Sequence, residues 1–102
     1  MKVFISGKIT NDNNYQEHFA KVEMMLKQLG HIPLNPAYLP QGMTDAEYMS
    51  IGFRMLECCD AICLLNNWRD SKGAKLEYEY ANYLSKIIFT ETECMVATME
   101  AN

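Results

Sequence analysis

Glu77 is the residue of this chain best placed to do chemistry. It stands early in a stretch that reads as a helix, just past a polar loop. An acid near a helix N-terminus is favoured by the dipole and stays ionised. Ionised, partly desolvated and aimed into a cleft, such a carboxylate is a nucleophile. The competing reading is an ordinary solvent-facing glutamate paired with Lys75 or Lys86, the only reading Glu79 receives. Asp70, ahead of the same helix, is either a cap or a general acid. Trp68, the only tryptophan, either stacks on a planar ring or packs on its own loop. Gly7 follows an apolar run as in phosphate-binding loops, but no G-x-G-x-x-G develops, which leaves Lys8 to meet an anion. His18 and His31 have no ligand spacing with Cys58, Cys59, Cys63 or Cys94, so neither a metal nor a Cys–His pair is expected. The cysteines read as buried reduced thiols, and Tyr78, Tyr80 and Tyr83 as helix packing or a subunit contact.

These residues need a frame. Lys2–Ser6 is a short apolar run ended by Gly7, a buried strand. Phe19, Val22, Leu26 and Leu29 recur at helical spacing from Tyr15 to a stop at Gly30. His31–Asn35 reads as a second strand. Thr44-Asp45-Ala46-Glu47 has the form of a capping box, opening a helix with Tyr48, Ile51, Met55 and Cys59 on one face. The unbroken apolar run Ala61–Leu65 predicts a strand covered on both sides. A third helix, capped by Ser71 or a neighbour, runs to about Ser85 with Ala74, Ala81 and Leu84 inward, and Ile87–Thr90 make a fourth strand. The alternation predicts an α/β three-layer sandwich of flavodoxin-like type, with a four-stranded parallel sheet in the order 2-1-3-4. Residues 1–90 make one domain. Residues 91–102 are a tail, with Met95, Val96 and Met99 at helical spacing, that reads as a helix or a subunit contact.

Ligands of such a sheet bind beyond the carboxyl ends of its strands. The loops there, Gly7–Asn14, Asn35–Gly42 and Asn66–Lys72, are long and polar, while those at the opposite end are minimal. With the strand ends and the helix they feed, they make Ser6, Gly7, Lys8, Asn35, Pro36, Asn66, Asn67, Trp68 and Gly73 the candidate substrate-binding residues. Composition narrows the partner. The chain has 102 residues and a net charge of −4, with no basic run, which excludes a nucleic-acid polymer. No apolar stretch nears the ~20 residues that span a bilayer, and no membrane partner is expected. A cytoplasmic location follows from the cysteines and the lack of a secretory leader.

Phe4-Ile5-Ser6-Gly7, Asn35-Pro36-Ala37, the run Cys59–Leu65 and the segment Gly73–Ala81 together resemble the nucleoside 2-deoxyribosyltransferase superfamily. The likeness extends from Lys2 to about Phe89 and is closer to the superfamily's small domain-of-unknown-function branch, often found in phages and prophages. Gly73–Ala81 is similar to the family motif G-T-A-x-E-x-G-Y-A, with Ala74 in place of its threonine. The resemblance implies that Glu77 attacks the anomeric carbon of a small deoxynucleoside or its monophosphate, a carboxylate assists the departing base, and no cofactor is needed. It also implies a homo-oligomer in which residues after the fourth strand, Thr90 to Asn102, enter a neighbour's pocket. Two departures stand out. Phe4 occupies the place of a tyrosine that orients the nucleophile, and Asn66 or Asn67 that of an aspartate, with Asp70 one residue out of register as its substitute. They leave open a second expectation, a nucleotide-binding module that senses or sequesters its ligand without turnover.

Overall fold

The structure, a computed structural model, describes residues 1–101. Four parallel strands, β1 (Lys2–Ser6), β2 (Ile32–Leu34), β3 (Ala61–Leu64) and β4 (Ile87–Thr90), lie in the order β2-β1-β3-β4. Helices α1 (Tyr15–Gln28), α2 (Asp45–Glu57), α3 (Lys72–Tyr83) and α4 (Glu91–Ala101) cover the two faces. The architecture is the three-layer α/β sandwich that the alternation of elements predicts.

Side-chain alternation along the strands divides the core. Val3 and Ile5 of β1, with Ala61, Cys63 and Leu65, pack against Phe19, Val22 and Leu26 of α1 and Cys94 of α4. Phe4, Ile62 and Leu64 point to the other face, against Leu56, Cys59 and Ala81. Ser6 is two residues beyond Phe4 and therefore shares its direction, toward α2 and α3. That parity brings a strand hydroxyl to the glutamate of α3.

Local signals account for the helix ends. Thr44 and Glu47 form both halves of the capping box, Thr44 N–H to Glu47 at 2.8 Å and Glu47 N–H to Thr44 Oγ1 at 3.2 Å. Ser71 Oγ accepts the Ala74 N–H at 3.1 Å and starts α3. Gly30, at φ +83°, ends the α1 turn in a conformation that suits glycine.

Several expectations need correction. The expected face of α2 holds in part: Cys59 is buried and Met55 packs against the same core, but the buried residues of the helix itself are Gly52 and Leu56, and Tyr48 turns to the cleft instead of the sheet. β2 ends at Leu34, since the Asn35 side chain turns back to accept the Ala37 N–H at 2.9 Å and starts a 3-10 turn over Pro36–Tyr38. A second 3-10 turn, Trp68–Asp70, occupies the third loop. Cys58 is exposed, unlike the other three cysteines. Burial holds the Cys59 thiol up at about 11 and pushes Cys63 up as well, so both remain unreactive thiols. The segment after β4 forms α4, which packs on α1 and buries Glu91, Cys94 and Thr98. The last residue of the expected tail, Asn102, lies outside the described residues. No helix among the described residues is long and apolar enough to cross a membrane.

Candidate functional site

A cleft of about 520 Å³ opens at the carboxyl ends of the strands. One wall is the loop after β1, from Gly7 to Asn11. A second is the face of α2 carrying Asp45, Tyr48, Met49 and Gly52, one side of a helix by their spacing of three, four and seven. Ser71 and, from α3, Lys72, Gly73, Ala74, Leu76 and Glu77 complete it. Phe19, Pro36 and Leu39 make the lining largely apolar. The shape and chemistry match a small-molecule site, apolar walls with a few convergent polar groups.

Glu77 is the polar group set deepest. Ser6, buried behind it, donates its hydroxyl to Glu77 Oε1 at 2.7 Å. Oε2 makes no hydrogen bond, and no side-chain polar atom is buried without a partner among the described residues, so Oε2 is open to the cleft. Burial pushes the Glu77 carboxyl up to about 7, and the Ser6 hydrogen bond only partly offsets this. The ionised glutamate expected from the helix dipole is therefore corrected. Glu77 is half protonated near neutral pH, because desolvation outweighs the Ser6 hydrogen bond and the carboxyl lies beyond the first turn of α3. A carboxyl held near 7 in a cleft is a mark of functional sites.

Of the candidates from the sequence, Gly7, Lys8, Pro36, Asp70, Gly73 and Glu77 line the cleft, and Ser6 supports Glu77 from behind. Asn35, Asn66, Asn67 and Trp68 do not line it. The Asn35 amide caps the 3-10 turn. Asn66 is tied to the start of α4, its N–H bonded to Glu91 Oε1 at 2.9 Å and its Oδ1 to the Thr92 hydroxyl at 3.1 Å. Glu91 Oε1 also meets His18 Nε2 at 2.8 Å. Asn67 Oδ1 accepts the Lys8 N–H at 3.0 Å, and its Nδ2 donates to Asp12 at 3.3 Å, mooring the loop that forms the first wall. Trp68 packs on Tyr78, ring centres 4.8 Å apart, with the Arg69 guanidinium 4.9 Å from its ring. Its main partner is thus a helix residue and not its own loop.

Sequence reasoning missed Asp45, Tyr48, Met49 and Gly52. Asp45 was absorbed into the capping box and Tyr48 into the expected apolar face, while Met49 and Gly52 carried no assignment. The signal was the glycine, since a residue that weakens a helix interior marks a close approach. Asp45 and Asp70 are both exposed at the cleft. No group of three or more potential metal ligands occurs among the described residues.

Comparison with known proteins adds a fold relative and a family. A 2-desoxiribosyltransferase from Leishmania mexicana superposes with a TM-score of 0.69 at 21% identity, over 87% of this chain. The chain spans 62% of that protein's length, and at this identity the likeness concerns the fold. No curated protein matches the sequence. The model of a domain of unknown function, DUF4406, matches residues 1–90, seven-eighths of the chain, and takes in every strand and every cleft-lining residue. This protein belongs to the DUF4406 family.

Proposed function

We propose that this protein cleaves the N-glycosidic bond of a small deoxynucleoside or deoxynucleoside monophosphate, with Glu77 as the nucleophile. The observation that carries the reading is the Glu77 carboxyl in the cleft, Oε1 held by Ser6 and Oε2 open. A fold shared with a deoxyribosyltransferase gives it further support. In the first step a glutamate oxygen bonds to the anomeric carbon as the bond from that carbon to the base breaks. The electron pair leaves with the base, which takes a proton from Asp70 at the rim of the cleft. Water or a second base then attacks the same carbon, gives up its proton to the Asp70 carboxylate and frees the Glu77 carboxylate, the two-step course of retaining glycosidases. Ser6 does here what a tyrosine at Phe4 would do, since Phe4 has no hydroxyl and Ser6 holds the carboxyl instead. Lys8 supports an anionic substituent such as a 5′-phosphate. A homo-oligomer joined through α4 belongs to the same reading, because Val96 and Met99 are exposed there.

The test is incubation of purified protein with a panel of deoxynucleosides and their monophosphates, with free base read by chromatography and ligand binding by thermal shift. Release of base supports the reading, and its absence across the panel overturns it. The pH dependence is specific. Only the ionised carboxylate attacks, and burial holds that group at about 7, so the ascending limb of kcat/KM against pH is centred on that value. Ser6→Ala removes a hydrogen bond to the charged form, and the midpoint moves up by about one pH unit. An unmoved midpoint excludes Glu77 as the titrating group.

A second reading, a nucleotide-binding module without turnover, is favoured by one observation. Both amides at the place of the family aspartate are engaged in moorings and offer no acid to the cleft. Such a module would sense or sequester a nucleotide, a role suited to a phage or prophage setting. A thermal shift without base release is its signature.

A further inference from the structure

Gly52 sits in the middle of α2 and faces Glu77 across the cleft. Glycine weakens a helix interior, and helix packing is the usual compensation. Packing does not account for this one. An ideal Cβ at Gly52 would stand 2.6 Å from Glu77 Oε2, and its next neighbours, Glu77 Cδ and Phe4 Cζ, are both at the ordinary contact distance of 3.8 Å. Neither the sheet nor the α3 backbone would be crowded. The only atom that a side chain at 52 would press is the carboxyl oxygen that is free of Ser6.

The distance has a chemical meaning. Reacting atoms in a bound substrate stand about 3–3.5 Å apart before bond formation. A Cβ at 52 would therefore crowd the side of Oε2 past which a carbon under attack has to approach. We infer that Gly52 keeps the attack position in front of Glu77 Oε2 open, and that Oε2, not Oε1, forms the bond to the anomeric carbon. The inference rests on the nucleoside reading for the identity of that carbon. Its geometry concerns any electrophilic carbon brought to this carboxyl. Gly52 is a positioning residue in this scheme, setting where substrate and carboxylate meet without touching the departing base.

The experiment compares wild type with Gly52→Ala in three readouts. The first is Tm. The second is the rate at which the small epoxide glycidol esterifies Glu77, followed by peptide mass spectrometry. In that reaction a carboxylate lone pair bonds to an epoxide carbon, the ring C–O bond breaks, and the alkoxide takes a proton from water. The third is base release. Alanine at 52 leaves Tm unchanged or raised, slows esterification of Glu77 at least about tenfold and lowers kcat about a hundredfold. Labelling of the variant within twofold of wild type overturns the inference, as does a wild type that is not labelled at Glu77. A large fall in Tm also overturns it, by assigning Gly52 to helix packing. Slowed labelling of Glu77 in a protein that releases no base supports the role of Gly52 and overturns only the nucleoside reading.

Discussion

Glu77→Gln is expected to lower base release by roughly 10³-fold or more and, at the same time, to make the protein more stable. For the first effect, the substitution replaces the attacking carboxylate by a non-nucleophilic amide of the same shape. The second follows from burial. The carboxyl titrates near 4.5 when the chain is unfolded and at about 7 in the fold, so the folded state holds a proton that the unfolded state gives up. Stability supplied by the protonated acid is complete below 4.5 and is lost as pH rises through 7. Glutamine carries no charge and escapes that loss. Allowing for water that reaches the carboxyl through the cleft, the gain above pH 7.5 is about 2 kcal/mol. In a domain of this size that raises Tm by roughly 10 °C at pH 8, with little change at pH 4. Thermal melts of both proteins at the two pH values measure it. Equal melts at pH 8 would refute the raised titration of Glu77, whatever the activity.

Gly7→Ala is expected to damage the fold itself. A Cβ at position 7 would stand 2.5 Å from Leu65 Cδ1 and 2.7 Å from both its Cβ and Cγ. Leu65 is fully buried, and its N–H bonds to the Ser6 carbonyl at 2.8 Å, where β1 and β3 run together. A leucine Cβ cannot swing aside as a carboxyl end can, so the two chain segments must part. The cost is about 3 kcal/mol, and Tm falls by roughly 15 °C. Leu65→Ala alone also destabilises, by about 3 kcal/mol, through the cavity it leaves. The double variant is expected to be more stable than the sum of the two losses predicts, because the second change removes the clash created by the first. Strict additivity in denaturant melts would show that Gly7 is present for another reason.

The sheet was legible in the sequence because its signals are local. An unbroken apolar run marks a strand covered on both faces, and Ala61–Leu65 carries that mark plainly. Capping residues likewise announce α2 and α3 at Thr44 and Ser71. Glu77 was legible through its position early in α3. What it touches was not. Ser6 and Phe4 share a face of β1, and which of them reaches the glutamate depends on how far along the strand α3 crosses it, a relation between residues that are 71 positions apart. The helical phase of α2 held only in part for a related reason. Tyr48, Ile51 and Met55 make a plausible apolar stripe, but a helix bordering a cleft has two inner faces, one toward the sheet and one toward the ligand. Pattern alone does not separate them. Asn66, Asn67 and Trp68 illustrate the same limit, since a polar loop reads alike whether its side chains face a ligand or hold the neighbouring chain in place.

The mooring at Asn67 has a consequence for how sequences of this kind can diverge. One amide presents an acceptor to the Lys8 N–H and a donor to Asp12, so its two ends satisfy opposite demands. An aspartate at 67 keeps the first bond but sets a second carboxylate about as far from Asp12 as the amide nitrogen now stands, and the like charges repel. Positions 12 and 67 are therefore coupled. An acid at 67 is best accommodated when position 12 carries no charge, so Asn67→Asp should cost less in an Asp12→Asn background than alone.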